Sequence, residues 1–211
     1  MNTYSVKRIK NGEVGENGYL VQSDQKNVII IDPGGNKDYF IEIIKDENLI
    51  PLAILNTHAH YDHIGAVEDL REHFEIPFYL HPLDKKLLGR ANLYRTIFRC
   101  SKVVKIPKVN KFFEVGLDPL TIGEFSIKVI PTPGHTKGSV CLLFGNLLFS
   151  GDTLFKGKVG RTDFPESNFQ EIQQSLKNLL KLSPDTIVYP GHGSKTSIGN
   201  EIKNISEIIS A

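Results

Sequence analysis

Four side chains that bind transition metals lie within the segment THAHYDHIG, which begins at Thr57. They are His58, His60, Asp62 and His63, in a chain that has seven histidines. His58 and His60 end an apolar run two positions apart, so on a strand they point to the same side and converge on one point. Asp62 and His63 follow where a helix begins and project from another direction. This spacing predicts two groups of ligands, for one metal each or for a shared pair. The helix N-terminus disfavours protonated imidazole, so we expect neutral rings.

Three further candidates each follow an apolar run and a small turn residue. His135 follows IPTPG, Asp152 follows LLFSG and His192 follows IVYPG. Because α/β active sites gather at strand ends, we expect these side chains to meet the first four. Asp32 also stands at a strand end, in IIIDPGG, but aspartate before Pro-Gly is typical of a turn, and we exclude it from the ligands. The predicted metal ligands are His58, His60, Asp62, His63, His135, Asp152 and His192.

Short apolar runs that stop at turn residues predict the strands that carry these side chains. They lie in segments 27–35, 51–57, 125–135, 139–152 and 186–192, and Gly145 with Asn146 indicates a hairpin within the fourth. Apolar residues at helical spacing predict helices over 62–74, 167–182 and 198–209, the second with a capping box of Asn168 and Glu171. The pattern over 82–98 is ambiguous, because Gly89 interrupts it. These elements predict one α/β domain over residues 1–211 with its helices outside.

Composition restricts the class of partner. Of 211 residues, 40% are hydrophobic and 23% charged, as in an ordinary globular protein. A net charge of +1 gives no reason to expect a nucleic-acid partner. No apolar run is long enough to span a bilayer and the N-terminus lacks an apolar signal region, so we expect a cytoplasmic protein with no membrane partner.

The segment HAHYDH resembles the His-x-His-x-Asp-His signature of the metallo-β-lactamase superfamily, and the three later candidates resemble its remaining ligands in order. The resemblance covers nearly the whole chain. It implies an αββα sandwich of two mixed sheets with outer helices and with the metals at one edge. It also implies two divalent ions, zinc first, with iron or manganese as alternatives. By this resemblance His58, His60 and His135 hold one ion, Asp62, His63 and His192 hold the other, and Asp152 bridges them.

Within that superfamily, the segments SGDTLFKGKVGRTDFPESN and YPGHGSKTSIGNE resemble short hydrolases related to glyoxalase II. This implies hydrolysis of a thioester such as S-lactoylglutathione by a hydroxide between the metals, with Asp62 and Asp152 in the catalytic centre. Glyoxalase II has a C-terminal helical domain that helps bind glutathione, whereas we expect a single helix after His192. An aspartate at position 152 also differs from true β-lactamases, which lack it, and predicts against antibiotic hydrolysis.

The expected charge of the centre favours a small anionic substrate. Two divalent ions with these ligands and a hydroxide leave a net charge of about one positive unit. Arg161 is a candidate contact for a substrate carboxylate, but pairing with Asp163 is slightly favoured, because Arg–Asp pairs at short spacing are common on loops. A thiolate leaves without a strong acid, and no acid is evident outside the ligands, which favours thioester over amide cleavage.

Two other functions remain open at this stage. GRTDF also occurs in iron-dependent persulfide dioxygenases, which bind one metal through the first-site ligands. A non-catalytic binding module on the same fold is the second alternative, against which the intact ligand set argues.

Overall fold

The computed structural model describes residues 4–97, 99–101, 103–114, 116 and 118–210. Within them, two mixed sheets of six strands lie at the centre of the fold. The first sheet comprises Ser5–Asn11 (β1), Glu16–Gln22 (β2), Asn27–Ile31 (β3), Ile50–Leu55 (β4), Phe78–Leu80 (β5) and Lys111–Phe112 (β6). These strands neighbour one another in chain order. β1 to β3 pair antiparallel, whereas β3 to β6 run parallel.

The second sheet follows along the chain. Its region contains Leu120–Ile122 (β7), Phe125–Pro131 (β8), Val140–Phe144 (β9), Leu147–Gly151 (β10), Leu154–Phe155 (β11), Lys158–Val159 (β12), Ile187–Pro190 (β13) and Thr196–Ser197 (β14). The sheet has the order β14-β13-β10-β9-β8-β7, and β11 pairs with β12 as a separate ribbon. β10 and β13 run parallel, and the other neighbours in this sheet pair antiparallel.

Helices cover the outer face of each sheet. They are Lys37–Asp46 (α1), Tyr61–Ile64 (α2), Val67–Phe74 (α3), Lys85–Leu88 (α4), Ala91–Ile97 (α5), Phe169–Leu179 (α6) and Ile198–Ser210 (α7), with a 3-10 turn at Pro82–Asp84. None of the helices that the structure describes combines the length and the apolar character needed to cross a bilayer.

Three apolar clusters hold the layers together. β3 contributes to two of them, one on each face of its sheet. Val28 and Ile30 pack in the cluster that includes Phe40 of α1, and Ile29 and Ile31 pack between the two sheets. A strand that is buried on both faces must be apolar at every position. The third cluster lies between the second sheet and helices α6 and α7. The layer order is therefore αββα, which confirms the predicted fold.

The helix predicted over 62–74 is wrong in one respect, because it is broken at Gly65 and Ala66. The Ala66 amide donates to the Pro33 carbonyl at 2.9 Å instead of continuing the helix. Gly65 packs so closely on the Gly34 backbone that a Cβ would lie 2.1 Å from its carbonyl oxygen. The Pro33 carbonyl, in the loop after β3, therefore replaces the helical acceptor of the Ala66 amide. No local sequence pattern indicates this replacement.

The remaining predicted elements agree more closely with the structure. The hairpin turns at Gly145, with Phe144 opposite Leu147, and α7 occupies the predicted segment. The ambiguous segment contains α4 and α5 on either side of Gly89, and Phe98 lies outside the described residues. The predicted capping box is half formed. The Asn168 side chain accepts from the Glu171 amide at 3.1 Å, but the Asn168 amide donates to the Gly134 carbonyl at 2.8 Å.

We predict that Asn168→Ala lowers the free energy of unfolding by about 1 kcal/mol, because the first turn of α6 loses its side-chain acceptor. The melting temperature should fall by about 3 °C in calorimetry. Gln170→Ala, in the same turn and exposed, is the matched control and should leave it unchanged. Equal melting temperatures for Asn168→Ala and the control would show that this cap contributes nothing.

Candidate metal centre

The seven predicted ligands meet at one edge of the sandwich, beyond the ends of strands from both sheets. His58 and His60 follow β4 of the first sheet, and His135, Asp152 and His192 follow β8, β10 and β13 of the second. Asp62 and His63 lie in α2. Backbone hydrogen bonds join the sheets here: the Val140 amide donates to the Thr57 carbonyl at 2.9 Å, and the Asn17 amide to the Gly191 carbonyl at 2.7 Å.

The first group of ligands consists of His58, His60 and His135. One ring nitrogen of each lies within 4.8 Å of those of the other two. His60 Nδ1 is 2.9 Å from His135 Nε2. The outer nitrogen of His135 lies 2.8 Å from the carbonyl oxygen of Arg161, which can only accept. In the neutral ring, Nε2 therefore directs a lone pair towards His60.

His58 is oriented by the same principle. Its Nδ1 is 3.1 Å from the hydroxyl of Thr57, and that hydroxyl donates to Asp32 at 2.6 Å. The hydroxyl therefore accepts from His58 Nδ1, which leaves Nε2 without a proton when the ring is neutral. His58 Nε2 is buried and has no hydrogen-bond partner among the described residues. An orphaned acceptor of this kind is costly unless a cation occupies the space it faces.

The second group consists of Asp62, His63 and His192, whose ligand atoms also lie within 4.8 Å of one another. Asp62 Oδ2 is 3.2 Å from His192 Nε2 and 3.6 Å from His63 Nε2. His63 Nε2 is buried and, within the described part of the chain, makes no hydrogen bond.

Asp152 lies between the two groups. Its Oδ1 is 3.5 Å from His63 Nε2, and its Oδ2 is 3.5 Å from His135 Nε2 and 3.7 Å from His192 Nε2. Close packing of Gly191 maintains this position, since a Cβ there would lie 2.2 Å from Asp152 Oδ1 and 2.7 Å from His63 Cε1. A carboxylate that faces both groups is suited to bridge two cations.

The pKa values differ between the two groups. Burial, together with the neighbouring His60, lowers the pKa of His135 to about 4, and burial lowers that of His58 well below its usual value. The expectation of neutral rings fails for His63. Burial would lower its pKa, but the charges of Asp62 and Asp152 raise it well above the usual value. The two carboxylates that raise this pKa are themselves predicted ligands, so a metal at the second group would compete with a proton on His63.

The donor set fits divalent metals. Buried imidazole nitrogens and carboxylate oxygens are the ligands preferred by zinc and similar ions, and several inward-facing atoms are otherwise unpaired. Each group offers three ligand atoms, and Asp152 faces both groups. The seven side chains together therefore suit two ions.

Asp32, which the sequence argument excluded, has a second role beyond the turn. It accepts hydrogen bonds from the Thr57 amide at 2.8 Å and the Thr57 hydroxyl at 2.6 Å, and its Oδ2 is 3.1 Å from His63 Nδ1. Its oxygens also lie within 4.8 Å of ligand atoms of His58 and His63. Because these contacts engage both oxygens, Asp32 orients His63 rather than completing a ligand group. Its backbone φ of 47° is consistent with the predicted turn.

Asp84 is a site residue that the sequence analysis missed. It is 1% exposed and accepts from the Ala59 amide at 3.0 Å, the Thr136 hydroxyl at 2.9 Å and the Gly138 amide at 2.8 Å. Burial raises the pKa of Asp84, against the effect of these hydrogen bonds. The carboxylate thereby fastens the loop of His60 to the loop of His135. It lies in the segment whose pattern was ambiguous, and no motif marks it.

Glu16 is a second buried acid that the sequence did not single out, and its backbone lies beside a predicted ligand. It is fully buried and forms a backbone bridge with His192. Burial, with a contribution from the charge of Asp62, raises the pKa of Glu16 to about 7. A carboxyl group that can hold a proton near neutral pH therefore lies beside the second group.

Arg161 forms the pair with Asp163 that the sequence slightly favoured. Its guanidinium donates to both carboxylate oxygens, at 2.9 and 2.7 Å. The guanidinium carbon also lies 4.6 Å from the centre of the Phe164 ring. That ring in turn lies 5.3 Å from the ring of His60 and 5.9 Å from that of His135, centre to centre. The side chain of Arg161 is 60% exposed, and a role in substrate binding stays a prediction.

Comparison with known protein families identifies the superfamily to which this fold belongs. The model of the metallo-β-lactamase superfamily matches residues 11–192, a span that contains every predicted ligand. The chain belongs to the metallo-β-lactamase superfamily. Among its relatives, the probable metallo-hydrolase YqgX of Bacillus subtilis is 38% identical over 198 residues, which cover 92% of this chain and 93% of that protein. Hydroxyacylglutathione hydrolase GloC of Haemophilus influenzae is 32% identical over 194 residues, 88% of this chain and 89% of GloC.

Solved structures from the superfamily superpose closely on this chain. A di-iron-bound form of TTHA1623 has a TM-score of 0.85 at 38% identity and covers 94% of this chain and 98% of its own. The B3 metallo-β-lactamase BLEG-1 has a TM-score of 0.86 at 38% identity and covers 94% and 97%. These similarities confirm the superfamily and its fold, and they extend to proteins with different named activities.

We predict that Asp84→Ala lowers the free energy of unfolding by about 3 kcal/mol, because three buried donors lose their acceptor. Urea denaturation followed by circular dichroism measures the change. Asp46→Ala, at the exposed end of α1, is the control and should be neutral. A small effect at Asp84, equal to that of the control, would contradict its role as a fastener.

We also predict that Asp152→Asn loses metal and nearly all turnover while the chain stays folded. The amide keeps the shape of the carboxylate but removes the charge that faces both groups. Elemental analysis should give about two transition-metal ions per wild-type chain and fewer than about one in the variant. Asp163→Asn, at an exposed carboxylate, should retain its metal. Wild-type metal content and activity in Asp152→Asn would exclude a bridging role.

Proposed function

We propose that this metallo-hydrolase holds two divalent metals and cleaves thioesters of the glyoxalase II type. The observation that carries the proposal is the position of Asp152, whose carboxylate faces both ligand groups. A centre built for two ions suits hydrolysis, because one ion can orient the substrate carbonyl while both activate water. The name of GloC, a hydroxyacylglutathione hydrolase with 32% identity, supports the choice of thioester.

Bound metals would supply the chemistry, and the side chains of this protein would position the two ions. Two bound divalent ions would polarise the thioester carbonyl and lower the pKa of water to about 7. His58, His60 and His135 would hold the first ion, and Asp62, His63 and His192 the second. Asp62 and Asp152 offset part of the metal charge, so the centre keeps a modest positive charge that favours an anionic substrate. The Phe164 ring packs beside His60 and His135 on one side of the first group.

Similarity in length bears on the recognition of glutathione. The chain covers 89% of GloC, so a protein named for glutathione thioesters is not much longer than this one. A separate helical domain is therefore not a requirement for such a substrate. We propose that binding of the thiol portion is weak here, because the Arg161 guanidinium is engaged by Asp163 on an exposed loop.

β-Lactam hydrolysis is a second candidate, since BLEG-1 is a B3 metallo-β-lactamase with the same fold and 38% identity. Asp152, which true β-lactamases lack, predicts against this activity. An iron-dependent persulfide dioxygenase is the third, on the GRTDF motif. The complete second ligand group favours a two-metal hydrolase over the dioxygenase, which uses first-site ligands alone. The intact ligand set also argues against a non-catalytic module.

The test compares kcat/KM for one acyl group carried on glutathione and on a small thiol such as N-acetylcysteamine. We expect hydrolysis of S-lactoylglutathione with a high KM and a kcat/KM within about tenfold of that for the small thioester, because few contacts grip the thiol. Asp152→Asn should abolish both activities. A strong preference for the glutathione ester with a low KM would contradict weak thiol binding.

The same preparation separates the competing functions. If a chromogenic cephalosporin were hydrolysed faster than every thioester, β-lactam hydrolysis would become the favoured function. Oxygen consumption on glutathione persulfide, with one iron per chain, would establish the dioxygenase. Absence of turnover on all three substrate classes in the metal-loaded protein would contradict an enzymatic role.

A further inference from the structure

Glu166 contacts a predicted metal ligand from the side that faces away from the metal. It lies in the segment between β12 and α6, and its side chain is 15% exposed. Its Oε1 is 3.0 Å from His60 Nε2, the outer nitrogen of that ring. Its Oε2 accepts a hydrogen bond from the hydroxyl of Tyr94, in α5. One carboxylate thus joins a ligand to a helix that carries none of the predicted ligands.

This contact determines which nitrogen of His60 carries the proton. An ionised carboxylate can only accept, so His60 Nε2 must be the donor. In the neutral ring, Nδ1 is then unprotonated, and it lies 2.9 Å from His135 Nε2. The carbonyl of Arg161 fixes His135 in the complementary way, with its proton on the outer nitrogen. The lone pairs of His60 Nδ1 and His135 Nε2 therefore face each other. They repel one another unless a cation lies between or beside the two nitrogens.

Ring packing holds His60 in the same orientation independently of the hydrogen bond. The ring of Tyr94 lies 6.0 Å from that of His60, and the ring of Phe164 lies 5.3 Å from it, centre to centre. Tyr94 and Phe164 are themselves 6.4 Å apart. α5 and the segment before α6 therefore clamp one imidazole between them, with Glu166 at the junction.

We propose that Glu166 is a positioning residue for the first metal: it fixes the tautomer and orientation of His60, and Tyr94 holds the Glu166 carboxylate in place. Glu166 is not a metal ligand in this arrangement, because it faces the nitrogen opposite the one directed at His135. Carboxylates that accept from the outer nitrogen of a metal-bound histidine strengthen metal binding. The proposal rests on the metal centre and not on the choice of substrate.

The experiment measures metal affinity and the His60 ring proton in the zinc-loaded protein. Glu166→Ala should weaken binding of one of the two zinc ions by about 10- to 100-fold in competition with a chelator, and leave the other unchanged. In long-range proton–nitrogen NMR spectra, the slowly exchanging Nε2 proton of His60 should disappear. Glu171→Ala, which removes an exposed carboxylate from the nearby first turn of α6, is the matched control and should change neither signal.

Two conservative variants make the test sharper. Glu166→Gln keeps an amide oxygen that can accept from His60, so it should restore the ring proton and most of the zinc affinity. Tyr94→Phe keeps the ring against His60 and removes only the hydroxyl, and it should cost a smaller, few-fold loss at the same zinc ion.

Unchanged zinc affinity and an unchanged His60 proton in Glu166→Ala would overturn the proposal, whatever the effect on thermal stability. Equal weakening of both zinc ions would also overturn it, because it would indicate a general loss of structure. Neither measurement uses a substrate. A failure of thioester hydrolysis in the wild type would therefore leave this test intact.

Discussion

The burial of a shared carboxylate between two sets of imidazoles is the constraint on which the centre depends. Asp152 faces ligands from the loop after β8, from α2 and from the loop after β13, so these segments must meet at the same point. Burial without a partner would make such a carboxylate costly. The neighbouring His63, opposing the effect of burial, holds the pKa of Asp152 well below its usual value. The strand ends of two separate sheets are therefore brought together around one charge.

The orientation of the imidazoles comes from a surrounding layer of acceptors. The Arg161 carbonyl, the Thr57 hydroxyl and Asp32 each engage the outer nitrogen of a different histidine. These acceptors belong to segments far apart in the chain, and each leaves an inward nitrogen free to bind metal. Preorganisation of this kind lowers the cost of ordering the ligands when a metal binds. Asp84 adds a mechanical link between two of the ligand loops.

Membership of the superfamily and the metal-binding geometry restrict the chemistry without choosing the substrate. Proteins named as a hydroxyacylglutathione hydrolase and as a B3 β-lactamase are similar to this chain over most of its length. The same centre can polarise a thioester or a β-lactam carbonyl, so discrimination must come from contacts to the part of the substrate that does not react. The exposed loop of Arg161 and Asp163, outside the strand ends, is a predicted place for such contacts.

The sequence by itself determined the ligands that share a local signature and the strands that carry them. HAHYDH and the three runs that end in a ligand are local patterns, and a strand buried on both faces is apolar at every position whatever its neighbours are. Only the tertiary structure brought Asp32, Asp84, Glu16 and Glu166 to the edge of this centre. A carboxylate in a loop has the same local sequence pattern whether it is solvated or accepts a hydrogen bond from a metal ligand. Glu166 contacts His60 across 106 positions of sequence. The break at Gly65 has the same cause, because the backbone that replaces the helical hydrogen bond comes from the loop after β3.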